Sequence, residues 1–160
     1  MRTLTFAALM LVATTPAVCA PPPDLRAALD KWASPRPIAR FQFSLVDLNG
    51  DGIQDAVVHV TDPSFCGNGG CPIVQFKGET PGFTLVGSSG LVRKPIYVLK
   101  ESQEGWHTLA AMIGLGNGAG IAPIRFKQQH GAYRSAPYSN AQISLNSQII
   151  EQGLDFEEAP

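Results

Sequence analysis

The chain has 160 residues, with 12 Lys and Arg against 13 Asp and Glu, which gives a formal net charge of −1 at pH 7. This near balance gives no reason to expect nucleic acid or an anionic membrane as a partner. The length suits one ordinary domain built around a single hydrophobic core.

Residues 1–20 have the pattern of a signal peptide. Arg2 supplies a short positive region, residues 4–12 are apolar, and small residues precede an expected cleavage site after Ala20. The mature protein is therefore expected to begin at Pro21 and to be periplasmic or secreted. No other apolar run approaches the ~18 residues that a membrane-spanning helix needs, so no membrane span is expected.

A short helix is expected after the N-terminal prolines. Asp24 is suited to cap its N-terminus, and Pro35 and Pro37 would end it. Four apolar side chains recur at helical spacing and form a single stripe: Leu25, Ala28, Leu29 and Trp32. We expect this stripe to cover one face or edge of a sheet.

Residues 47–55 read D-x-N-x-D-G-x-x-D, which is the pattern of a calcium-binding loop. Hard cations prefer oxygen ligands, and alternate side chains of a tight loop can all point at one ion. Gly52 would allow the sharp turn that such a loop needs. The expected metal ligands, at loop positions 1, 3, 5, 7 and 9, are Asp47, Asn49, Asp51, the carbonyl of Ile53, and Asp55. The expected cofactor is therefore Ca²⁺.

The surroundings of this loop are not those of an EF-hand. Position 12, where an EF-hand has a bidentate Glu, is Val58, and strand patterns flank the loop on both sides. The loop resembles the calcium loops of FG-GAP repeats, as found in integrin-type propellers, and this resemblance implies that Asp55 is the closing carboxylate. The sequence has no second copy of the motif, so a propeller is not expected. The alternative is a turn rich in Asp, Asn and Gly that binds nothing.

Two cysteines remain once the predicted signal peptide, which contains Cys19, is removed. Cys66 and Cys71 enclose Gly-Asn-Gly-Gly, and an even number of cysteines in an oxidising compartment favours a disulfide. The permissive glycines can bring the two ends together. The alternatives are a redox pair, or a soft-metal site that includes His59.

Most of the remaining chain is a series of short strand patterns separated by turn signals. The expected strands are residues 38–46, 55–61, 72–77, 82–87, 95–100, 105–113, 121–127 and 131–135, with a weaker pattern near 142–150. Their spacing predicts a mostly β protein with a single antiparallel β-sandwich or barrel-like sheet and one short N-terminal helix. This β-rich domain is expected to span residues 21–150, and residues 151–160 are expected to form a flexible tail.

The order of these features, from the calcium loop through C-G-x-G-G-C to a glycine-rich segment at 114–120, resembles a group of small exported bacterial proteins. The resemblance covers roughly residues 38–138 and implies no catalytic residue. Since the histidines are scattered and lack a neighbouring nucleophile, we expect a non-catalytic calcium-binding domain of the cell envelope. One alternative is a periplasmic inhibitor or immunity protein that plugs a cell-wall hydrolase with glycine-rich loops at 66–71, 87–90 and 114–120. Another alternative is a hydrolytic enzyme.

Overall fold

The computed structural model describes residues 20–115, 118–124, 126–129, 132–135 and 150–159. These residues form one helix, α1, over Pro23–Ala33, together with ten strands. In chain order, the strands are β1 Phe41–Val46, β2 Asp55–His59, β3 Cys71–Glu79, β4 Gly82–Gln103, β5 Trp106–Leu115, β6 Gly118–Ile124, β7 Phe126–Gln129, β8 Ala132–Ser135, β9 Ile150–Gly153 and β10 Glu157–Ala159.

Strands β1 to β6 pair in chain order within one antiparallel sheet, and the C-terminal strands complete it. Strand β10 lies at the outer edge of β1, and β9 pairs with β4. Within the described residues this eight-stranded sheet does not close into a barrel, and β7 and β8 form a separate hairpin. The predicted mostly β, antiparallel fold with one N-terminal helix is confirmed.

Both faces of the central strands are buried. One face carries a core cluster that includes Val57 and Leu109, and the opposite face carries a second cluster that includes Val58. Consecutive valines lie in different clusters because alternate side chains of a strand point to opposite faces. Helix α1 adds the fully buried Leu25 and Leu29 to the second cluster. Each of these leucines contributes about 2 kcal/mol of transfer free energy, so this apolar stripe holds the helix on the sheet.

Helix α1 starts differently from the prediction. Pro23 lies in its first turn, and no side chain caps its N-terminus. Asp24 is therefore not a cap; it lies in the first turn, where a carboxylate interacts favourably with the helix dipole. Proline is well tolerated there because the first N–H groups of a helix have no helical partner.

Strand β4 is a single strand of 22 residues, whereas the sequence predicted two strands, 82–87 and 95–100. The intervening residues 87–90, expected to form a loop, continue the strand, and Gly87 and Ser88 pair with β3. Register shifts interrupt the β3–β4 pairing, and glycine accommodates such irregularities because it accepts unusual backbone geometry. The Gly-Ser-Ser-Gly turn signal is therefore misleading inside a long, irregular strand.

Residues 150–159 form two short strands rather than the flexible tail expected for residues 151–160. Strand β9 pairs with β4 and β10 pairs with β1. Between them, the backbone N–H of Leu154 donates to the carbonyl of Ile96 (3.0 Å). The two strands have four and three residues, too few for a recognisable alternation of apolar and polar side chains.

Some predictions concern parts of the chain outside the described residues. These parts are residues 1–19 of the predicted signal peptide, residues 142–149 of the weakest predicted strand, and the single residues 125, 131 and 160 of three other predicted segments. The glycine-rich segment 114–120 falls at the β5–β6 hairpin, and its residues 116 and 117 are also outside the described set. In the part of the chain that is described, no helix is long and apolar enough to cross a membrane.

Candidate functional site

The predicted calcium loop connects β1 to β2. Val46 of β1 pairs with Asp55 of β2, so residues 47–54 form the connection between the two strands. Gly50 and Gly52 have positive φ angles of 73° and 82°, a conformation that other residues rarely adopt. Gly50 and Gly52 therefore allow the backbone to form a tight turn.

The first carboxylate of the motif, Asp47, organises the turn. Its Oδ1 accepts the backbone N–H groups of Gly50 (2.7 Å) and Asn49 (3.3 Å). Its Oδ2 accepts the backbone N–H of Gly52 (2.9 Å). Hydrogen bonds from several N–H groups to one carboxylate hold a loop in a single conformation. Asp47 therefore has a structural role in the turn in addition to its predicted role as a metal ligand.

Asn49 and Asp51 form two successive turns in which a side-chain oxygen accepts the backbone N–H two residues later. Asn49 Oδ1 accepts the N–H of Asp51, and Asp51 Oδ1 accepts the N–H of Ile53, both at 2.9 Å. The Asn49 amide also donates to Asp51 Oδ2 (3.0 Å). The bond from Ile53 is the main reason that the pKa of Asp51 lies below its usual range, so this carboxylate is ionised at neutral pH.

Asp55, at the start of β2, is fully buried. Its Oδ2 accepts the backbone N–H of Leu48, and its Oδ1 accepts the backbone N–H of Gly78 in β3, both at 2.9 Å. Burial raises the pKa of Asp55, and the charges of Asp51 and Asp47 also raise it, while the two N–H bonds oppose the rise. An ionised Asp55 is therefore unfavourable beside the other carboxylates, and a cation held near them would offset that cost.

Strand β3 contacts the loop through two consecutive residues that the sequence pattern did not reveal as part of the site. Lys77 Nζ lies 3.4 Å from Asp51 Oδ2, and both side chains are partly exposed. A Cβ on Gly78 would lie 2.1 Å from the carbonyl oxygen of Gln54, so the backbones approach too closely for any residue but glycine. One feature of the sequence could have predicted this contact: Gly78 directly follows a strand pattern. A glycine in that position can mark either a turn or a close approach of two backbones.

The predicted metal ligands do not converge on one point. Among the described residues, His, Cys, Asp and Glu side chains form no group of three or more that could hold a metal ion. The three loop carboxylates instead direct oxygens at backbone N–H groups, and Ile53 is exposed. The chemistry of the donor set nevertheless fits a hard cation, because carboxylate, amide and carbonyl oxygens are the ligands of calcium. Each oxygen of Asp55 accepts one hydrogen bond and retains a lone pair for such an ion.

The predicted disulfide between Cys66 and Cys71 is confirmed. Inside its ring, Gly67 and Gly70 exchange two backbone hydrogen bonds of 2.8 and 3.0 Å. A Cβ on Gly70 would lie 2.1 Å from the carbonyl oxygen of Val92, so the ring packs closely on β4. Because the two sulfurs are bonded to each other, they do not supply the thiolate ligands that a soft-metal site would need.

Comparisons with protein-family models, with curated proteins and with solved structures find no match for this chain. No family is therefore assigned, and the resemblance of residues 47–55 to FG-GAP loops stays a prediction from the sequence. The carboxylates of Asp47, Asp51 and Asp55 are the features from which a function can be argued.

Proposed function

We propose that this protein is an exported, non-catalytic β domain that binds one Ca²⁺ in the loop 47–55. The observation that carries the proposal is the burial of Asp55 beside Asp47 and Asp51, whose charges raise its pKa. Carboxylates that repel one another in a short turn are stabilised by a nearby cation. Since the donor atoms are all oxygens, calcium is the cation that they suit, and its role would be structural.

Five groups of the loop would hold the ion: the side chains of Asp47, Asn49, Asp51 and Asp55 and the carbonyl of Ile53. The ion would neutralise the repulsion among the carboxylates. Because Asp55 also accepts the backbone N–H of Gly78, an Asp55 fixed by calcium would hold the β1–β2 turn against β3. Three carboxylates without a bidentate Glu are expected to give a modest Kd, on the order of 10⁻⁵ to 10⁻³ M.

The disulfide between Cys66 and Cys71 supports the export part of the proposal. Disulfides persist in oxidising compartments such as the periplasm and are rare in the cytoplasm. A calcium site of modest affinity is useful outside the cytoplasm, where the ion is plentiful. The disulfide and the proposed ion would then stiffen two different connections of the same sheet.

The alternative of a hydrolase inhibitor has no observation in its favour. Residues 87–90 lie within β4, and the ring formed by residues 66–71 packs on that same strand. A plug for an enzyme cleft requires rigid loops that protrude. The third expected loop, 114–120, lies partly outside the described residues.

Isothermal titration calorimetry with Ca²⁺ and Mg²⁺ tests the calcium proposal. We expect one Ca²⁺ per chain and weaker binding of Mg²⁺, which loses its water reluctantly. Asp51→Asn should weaken calcium binding by about tenfold or more, because it removes the charge of one of three carboxylate ligands. Asp24→Asn makes the same chemical change in α1 and should leave the affinity unchanged. No binding at millimolar calcium, or equal affinity of the two variants, would contradict the proposal.

A further inference from the structure

A polar cleft of about 330 Å³ lies beside the calcium loop. Polar side chains from the loop and from strands β5 and β9 line it: Asp47, Gln54, His107 and Gln152. Its volume falls at the lower end of the range of about 300–1,000 Å³ that small-molecule sites occupy. Among the described residues of its lining, Asp47 alone is also a proposed calcium ligand.

His107 forms one hydrogen bond through its backbone and one through its ring. Its backbone N–H donates to the carbonyl of Leu48, and its ring Nδ1 lies 2.8 Å from the carbonyl oxygen of Leu99. Because a carbonyl oxygen can only accept, Nδ1 donates this bond. Nε2 is therefore the ring nitrogen that remains to bond a ligand in the cleft.

The amide side chains of the cleft broaden its hydrogen-bonding capacity. Gln54 and Gln152 are exposed residues, and each amide carries both donors and an acceptor. Together with Nε2 of His107, they suit a ligand whose groups both donate and accept hydrogen bonds, as hydroxyl groups do. Leu45, which is half-buried, adds apolar surface to the lining, against which the C–H face of a ring can pack.

The charge of the lining restricts the ligand further. Among the described residues that line the cleft, Asp47 is the one with a charged side chain, and its carboxylate disfavours anionic ligands. Its two oxygens already accept backbone N–H bonds from Gly50 and Gly52, which reduces what an organic cation would gain there. A neutral ligand is therefore favoured over either kind of ion.

We propose that this cleft binds a neutral polyhydroxylated ligand, such as a single neutral sugar unit. The inference goes beyond calcium binding and does not depend on it. The hydrogen bond from His107 to Leu48, the residue after Asp47, connects the cleft to the loop. A calcium ion in the loop would therefore make the cleft more rigid without being required for the ligand to bind.

Amide chemical-shift titration of the protein by NMR tests this proposal, with glucose, galactose and N-acetylglucosamine as probes. We expect saturable shifts at millimolar sugar for amides around Asp47, Val98 and His107, both in EDTA and in Ca²⁺. In EDTA, where Asp47 keeps its full charge, succinate and ethylamine, a small anion and a small cation, should cause no saturable shifts at those amides. Absence of sugar-induced shifts, or tighter binding of either ion, would overturn the proposal.

A pair of variants separates a specific site from general surface effects. Gln152→Ala removes an exposed amide from the cleft and should weaken sugar binding by about tenfold. Thr84→Ala changes an exposed residue in a different groove, beside α1, and should bind sugar like the unmodified protein. An unchanged affinity of Gln152→Ala would overturn the proposal. Sugar binding by a protein that binds no Ca²⁺ would support it and would contradict only the calcium proposal.

Discussion

The backbone N–H of Gly78 donates a 2.9 Å hydrogen bond to the carboxylate of Asp55. The same carboxylate accepts the backbone N–H of Leu48 at 2.9 Å, so one buried side chain connects the loop, β2 and β3. Hydrogen bonds to an ionised, buried group are stronger than those between neutral groups. The end of the candidate calcium loop is therefore positioned by a strand that lies about twenty residues further along the chain.

The pKa of Asp55 should lie above 3.8 without calcium, because burial and the charges of Asp51 and Asp47 disfavour its ionised form. The folded protein then takes up a proton at Asp55 more readily than the unfolded chain does. The resulting stabilisation is fully present below pH 3.8 and is lost as the pH rises through the folded-state pKa. Carboxyl ¹³C NMR titration measures this pKa directly.

Calcium should lower the pKa of Asp55, because the ion binds the ionised carboxylate. The same NMR titration, repeated with saturating Ca²⁺, provides the comparison. A titration midpoint below 3.8 in EDTA would contradict the effect of burial. A midpoint that calcium leaves unchanged would show that Asp55 is not a ligand.

Gly78→Ala should destabilise the protein by about 3 kcal/mol, because overpacking forces the backbone to move. The added Cβ would lie 2.1 Å from the carbonyl oxygen of Gln54. Gly114→Ala is the matched control, since a Cβ there would meet nothing within 4 Å. The control should change stability by less than about 1 kcal/mol. Urea unfolding of both variants measures the difference, and equal stabilities would rule out the close approach of β3 to the loop.

Lys77→Gln should strengthen calcium binding by about threefold to tenfold, because it removes a positive charge that competes with the ion. Lys77 Nζ lies 3.4 Å from Asp51 Oδ2, one of the proposed ligands. Stability without calcium should change little, since exposed ion pairs contribute little. Lys31→Gln, in α1, is the matched control for the loss of charge. Calorimetric titration gives both affinities, and equal affinities would show that Lys77 does not compete with calcium.

His59 should make the protein less stable in mild acid. The residue is 6% exposed, and among the described residues neither ring nitrogen has a hydrogen-bond partner of good geometry. Burial lowers the pKa of His59 below 6.5, the carbonyl of Val92 partly opposes this shift, and the charge of Lys94 adds to it. The unfolded chain therefore takes up the proton first. The stability that a neutral His59 contributes to the folded protein is fully present above pH 6.5. It is lost as the pH falls through the folded-state pKa of His59.

His59→Leu isolates this effect, because leucine fills part of the same space without polar atoms. We expect the variant to be more stable than the unmodified protein by about 1 kcal/mol at pH 5, with a smaller gain at pH 8. Urea unfolding at several pH values gives both quantities. A difference that does not change between these two pH values would exclude protonation of His59 as the cause.

Features set by neighbouring residues were predictable from the sequence, and those set by distant pairing were not. The Cys66–Cys71 disulfide and the helix stripe depend on short spacings and were confirmed. The continuous β4 depends on pairing with β3, β5 and β9, which overrides the local turn signal at residues 87–90. The contact of Gly78 with Asp55 likewise joins separate strands, so the sequence marks the glycine but not its partner.

Thermal unfolding in about 1 mM Ca²⁺ and in EDTA tests the central claim, that the loop 47–55 holds a structural calcium ion. With a Kd near 10 μM, linkage predicts about 2.7 kcal/mol of stabilisation. For a domain of this size that corresponds to a rise in Tm of about 10 °C. We predict this rise with Ca²⁺ and a clearly smaller one with the same concentration of Mg²⁺. Identical unfolding curves in Ca²⁺ and EDTA would contradict the claim and leave residues 47–55 as a turn held by its own hydrogen bonds.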